Sequence, residues 1–143
     1  MKKAPAKSSP AGYSGTPLPQ KLGIKADHVV AAIEAPADFA GTLGALPSGA
    51  RIVATATGER DVVVAFVTRR AALEAGLPTW TRAIHPAGSL WIAWPKKASG
   101  VATDVTEDVI REVALPTGLV DNKVCAIDAT WSGLRLVVRL ALR

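Results

Sequence analysis

The residues best suited to chemistry in this chain are few: His28, His85, the single cysteine Cys125, and two Ser-Gly pairs, Ser14-Gly15 and Ser132-Gly133. A histidine works as an acid, a base or a metal ligand only with a partner placed to help it. Neither histidine has a spaced acid or thiol near it in the chain. His85 before Pro86 reads as a turn residue and His28 as the lead into a strand. One cysteine excludes a disulfide framework and a cysteine-based zinc site, and Cys125 reads as a buried structural thiol. G-x-S-x-G is absent, so neither serine sits on a nucleophile elbow. G-x-x-x-x-G-K is absent too, which excludes a P-loop. We therefore expect no catalytic residue, no metal and no cofactor.

What remains is a constellation suited to binding. Arg69, Arg70, Trp94, Lys96, Lys97, Trp131 and Ser132 are candidates for one rim of basic and aromatic side chains. In an open parallel sheet, ligands bind outside the carboxyl ends of the strands. Thr68-Arg69-Arg70 follows one apolar run, Trp94-Pro95-Lys96-Lys97 the next, and Asp128 to Gly133 joins the final pair. Such a rim suits a small anionic ligand or an acidic, flat protein partner. The competing reading is that the arginines are a solvated helical turn and the tryptophans pack into the core.

The elements that must hold this rim alternate along the chain. Thr16 before Pro17 reads as an N-cap with proline at the first helical position, opening a short helix that Gly23 ends. Val29–Ile33 is an apolar run of the kind found in a strand covered on both faces. Ala37–Leu43 reads as a short helix and Arg51–Thr55 as a second strand. Asp61–Val67 is β-branched and apolar, and so central. Arg69–Ile84 is helical in pattern, with Leu73, Leu77, Trp80 and Ile84 on one face; Pro78 predicts two pieces. Leu90–Trp94 is a strand. Asp104, with Glu107 three residues on, reads as a capping box. It opens a helix whose buried stripe is Val105, Val109, Ile110 and Val113, closed by Pro116 and Gly118. Val124–Asp128 and Leu134–Leu142 are the last strands, joined by a turn too short for a crossover. The pattern predicts an α/β fold: a three-layer α/β/α, Rossmann-like mixed sheet in the order 2-1-3-4-6-5, with only the last strand antiparallel.

The 143 residues carry 17 basic and 12 acidic side chains, and 49% of the residues are hydrophobic. That suits one domain over residues 13–143, preceded by a flexible basic tail over residues 1–12. The formal charge of +5 belongs to residues 1–25, which hold Lys2, Lys3, Lys7, Lys21 and Lys25 and no acid. A nucleic-acid-binding domain carries its positive charge on its folded face. The expectation is therefore no specific nucleic acid, only a weak, salt-sensitive association through the tail. No apolar run is long enough to cross a bilayer, and no apolar stretch follows the basic start. Together these predict a cytoplasmic location without a membrane partner.

Two resemblances add to this reading. His85-Pro86-Ala87-Gly88-Ser89-Leu90-Trp91-Ile92 resembles the L-x-P-G-G-x-L-x-I segment of the S-adenosylmethionine-dependent methyltransferases, and Asp61-Val62-Val63-Val64 their preceding D-V-V strand. The helix–strand–turn–strand ending is similar as well. More closely, the chain resembles an uncharacterised bacterial family of unknown function. Its motifs are matched by Tyr13 to Lys25, Trp94 to Gly100, Thr103 to Asp108 and Trp131 to Leu134. The methyltransferase resemblance implies a glycine-rich turn after the first strand and an acid at the end of the second. Here Glu34-Ala35-Pro36-Ala37-Asp38-Phe39 follows the first strand, without G-x-G. The second runs into Ala54 to Gly58, with Glu59 only beyond it. The expectation is a truncated, non-catalytic version of that fold acting as a small-ligand or protein-binding module, with an S-adenosylmethionine-dependent methyltransferase as the alternative.

Overall fold

The computed structural model describes residues 15–143; the tail expected over residues 1–12 lies outside them. Six strands form one mixed sheet: β1 (Val29–Ile33), β2 (Arg51–Val53), β3 (Val62–Phe66), β4 (Ser89–Pro95), β5 (Leu119–Ala126) and β6 (Trp131–Val138). Their order is β2-β1-β3-β4-β6-β5. β2, β1, β3 and β4 pair in parallel, and β6 runs antiparallel to both β4 and β5. This is the order and sense that the apolar runs predict.

The central strands are central because of what they are made of. Every residue of β3 and β4 is buried, and Val-Val-Val-Ala-Phe has no polar side chain to turn toward water. Four helices cover the sheet: α1 (Leu18–Lys21), α2 (Phe39–Leu43), α3 (Arg70–Ile84) and α4 (Glu107–Ala114). α3 and α4 bury Leu73, Leu77, Trp80, Ile84, Ile110 and Ala114 against Val63, Ala65, Leu90, Ile92, Leu134 and Leu136. On the opposite face Leu22, Phe39 and Leu43 pack on Val30, Val62, Val64, Phe66 and Trp91. The indole N–H of Trp91, fully buried, donates to the Leu22 carbonyl at 3.0 Å. That bond satisfies the one polar atom of the largest core side chain and pins the end of α1 to β4.

Several local expectations need correction. α3 is one helix of 15 residues with Pro78 inside it, not two pieces. Pro78 lies on the exposed face, and the buried face runs on through Leu73, Leu77, Trp80 and Ile84; packing on both sides of the proline outweighs the one helical bond it removes. Gly76 makes room for the Trp80 ring one turn on, where a Cβ would overlap it. α4 is capped by Thr106, whose hydroxyl accepts from the Val109 N–H at 3.2 Å, not by Asp104. Val105 is buried but precedes the helix. At the start of α1 the cap position is held by Pro17 rather than Thr16. β2 stops at Val53, β5 begins five residues before Val124, and β6 ends at Val138.

Candidate functional site

The carboxyl ends of β1, β3 and β4 and the β5–β6 turn gather on one edge, as the rim requires. Register places Trp94 opposite Ser132 and Pro95 opposite Trp131. The turn is held by Asp128, whose carboxylate accepts from the N–H groups of Thr130 and Trp131, both at 2.8 Å. Lys96 fastens β4 to the same turn. Its N–H donates to the Thr130 carbonyl at 2.7 Å and its ammonium to the Asp128 carbonyl at 2.8 Å. Trp94, Lys96, Trp131 and Ser132 are thus one neighbourhood, with Lys97 next in the chain.

The two tryptophans face opposite sides of the sheet. Trp94 is buried on the α3/α4 side. Trp131 is half-buried on the α1/α2 side, edge-to-face on Phe66 with centroids 5.1 Å apart. Adjacent register positions point alternately up and down, so the rim carries one tryptophan per face and not an aromatic pair. Trp94 contributes area to the core.

The arginines also separate. Arg69 is exposed at the carboxyl end of β3. Arg70 turns onto the seam between α3 and α4, where its guanidinium meets Glu74 at 3.1 Å and Glu112 at 2.9 Å. Those two hydrogen bonds, Glu74 first, raise its pKa and commit its charge. The first N–H of α3 is taken up within the fold: the Asp104 carboxylate accepts from the Arg70 N–H at 2.6 Å. The Thr103 hydroxyl donates to the Thr68 carbonyl at 2.7 Å beside it. Sequence reasoning missed this clip, because the Asp-x-x-Glu spacing pointed to a local cap. Arg69 and Lys97 remain as exposed cations of the rim, with no ion pair among the described residues.

S-adenosylmethionine, implied by the methyltransferase resemblance, would meet the turn after β1 and an acid at the end of its neighbour β2. The residues there do not fit it. Glu34 leaves β1 at φ 55°, in the left-handed region that a glycine occupies without strain. Ala35 packs against the core behind it, and Pro36 offers no N–H. Phe39 and Phe66, both buried, pack edge-to-face at 5.0 Å. With Trp131 they form a run of three rings along this edge. Glu59 does not supply the ribose acid. It lines a groove with His28, Asp61 and His85 beside the residues that begin β1 and β4, at the amino edge.

The other reactive groups have structural partners. His28 Nδ1 accepts from the Lys25 N–H at 3.1 Å, and His85 Nε2 bonds the Leu142 carbonyl at 3.1 Å. No cluster of three metal-ligating side chains exists among the described residues. Cys125 is buried, and desolvation raises its thiol pKa while Lys21 and Lys123 pull it down. No helix among the described residues is long and apolar enough to cross a membrane. The chain matches no family model and no curated protein.

Proposed function

We propose that the protein is a non-catalytic binding module on a degenerate methyltransferase-like fold, taking a small anionic ligand or an acidic partner at the carboxyl edge of its sheet. The antiparallel β6 between β4 and β5 supports the methyltransferase-like reading. The observation that carries the loss of catalysis is the turn after β1, where Glu34 at φ 55° and Pro36 stand in place of bare glycine backbone. Arg69 and Lys97 supply the rim with uncommitted charge, and Trp131 gives it a partly exposed aromatic face. Calorimetric titration with S-adenosylmethionine should give no isotherm. A micromolar isotherm would restore the enzyme reading.

A further inference from the structure

Residues 26–143 carry no net charge, yet the fold sorts the two signs. On the α3/α4 face Arg70 and Arg111 meet five carboxylates: Glu74, Glu112, Glu107, Asp108 and Asp121. The other face of β5 and β6 is different. Arg135 alternates with Leu134 and Leu136, which belong to the α3/α4 core, so it projects from the α1/α2 side. Lys123 stands directly opposite it in the ladder. Lys21, at the end of α1, lies beside them: the Lys123 ammonium donates to the Lys21 carbonyl at 3.0 Å.

Each of these cations rests on a neutral oxygen. Lys21 Nζ reaches the Ala126 carbonyl at 3.5 Å, and Arg135 Nη1 reaches the Asn122 amide at 3.2 Å. Arg143 bonds the Val138 carbonyl at 2.9 Å. It lies close enough to Arg135 to lower its pKa, adding to the larger effect of desolvation. Among the described residues no carboxylate pairs with any of the four. Like charges directly opposite across a ladder destabilise a sheet. The zero net charge of residues 26–143 hides Lys123, Arg135 and Arg143 because five of the acids in that count lie on the α3/α4 face.

We propose that the Lys21–Lys123–Arg135 face binds the phosphate backbone of a single-stranded nucleic acid without reading its bases. Lys123 and Arg135 sit on adjacent strands about 4.8 Å apart, and Lys21 of α1 beside Lys123 extends them into a track that a repeating anion can follow. A protein partner would need an apolar centre to its interface. Val124, the exposed large apolar residue of β5, pairs with Leu134 and so projects from the opposite face. The surface adjoins the carboxyl rim at Ala126, which pairs with Ser132, but it uses none of the rim's cations and does not depend on the reading given there.

The test is fluorescence anisotropy of a labelled, mixed-sequence single-stranded oligonucleotide with the full chain over a range of salt. Three phosphate contacts predict a slope of log K against log salt of about −2 or steeper. Lys123→Gln with Arg135→Gln should make that slope shallower by about 1.4. If the double variant does not fold, Lys123→Gln alone, at an exposed site, should make it shallower by about 0.7. Replacing Lys2, Lys3 and Lys7 by Gln should leave the salt dependence carried by the face. No binding at the lowest salt overturns the proposal, as does a face variant that binds like the parent. So does binding that vanishes with the three tail lysines alone. Polyglutamate bound as tightly as the oligonucleotide would overturn it in favour of an acidic protein.

Discussion

The Asp104 carboxylate caps a helix that begins 34 residues before it, accepting the Arg70 N–H at 2.6 Å. The loop before α4 is thereby tied to the end of β3, where Thr103 also binds the Thr68 carbonyl. Removing a side-chain cap costs about 0.5–2 kcal/mol. Asp104→Ala should fall in that range by urea denaturation and Asp104→Asn well below it. If Thr106→Ala destabilises the chain and Asp104→Ala does not, the clip is not what holds the first turn of α3.

Two helical glycines should respond in opposite directions to alanine. At Gly41 in α2 a Cβ would meet nothing within 4 Å, and the backbone has no positive φ. Gly41→Ala should therefore stabilise by about 0.5–1 kcal/mol. Gly76 in α3 would gain as much helix propensity, but its Cβ would overlap the Trp80 ring. Overpacking costs about 1–3 kcal/mol, so Gly76→Ala should lower the melting temperature and alter the tryptophan fluorescence. Equal gains at both sites would show that Trp80 does not occupy that space.

Burial makes Cys125 sensitive to alkali. Its folded thiol is raised above the ordinary value of 9.0, chiefly by desolvation. The folded chain thus holds this proton more tightly than the unfolded chain. The resulting stability is fully present below about pH 9 and is lost as pH rises through the raised folded value. The parent should lose more stability between about pH 8 and its alkaline limit than Cys125→Ala does, whatever packing the variant loses at neutral pH. Parallel pH profiles for the two proteins would remove the thiol as the cause.

The sheet was legible because its strands are written as apolar runs: Val29–Ile33, Val62–Phe66 and Leu90–Trp94 have few other ways to avoid water. β5 was only half legible. Its first residues include Asp121, Asn122 and Lys123, polar side chains that an edge strand tolerates, and its register slips at Asp121/Lys123. Asp104 misled because its donor is distant in sequence. The rim was legible as an edge, since topology fixes where parallel strands end. Its faces were not, because they depend on the Pro95–Trp131 register. The Lys123–Arg135 pairing was hidden for the same reason.

That register makes the two rim tryptophans a direct test of the edge. Trp94, 9% exposed, packs in the α3/α4 core, so Trp94→Ala should cost about 3–5 kcal/mol, as for a buried large aromatic. Trp131 is half-buried, and its ring packs edge-to-face on Phe66. An aromatic pair adds about 0.5–1.5 kcal/mol beyond area burial, so Trp131→Ala should cost clearly less than Trp94→Ala. If the rim holds an anion through Arg69 and Lys97, alanine at both should abolish that binding and cost less than about 0.5 kcal/mol of stability. Trp131→Ala should weaken the same binding while lowering the melt by clearly less than Trp94→Ala does. A Trp131→Ala protein as unstable as Trp94→Ala would make both rings core residues and remove Trp131 from the binding edge.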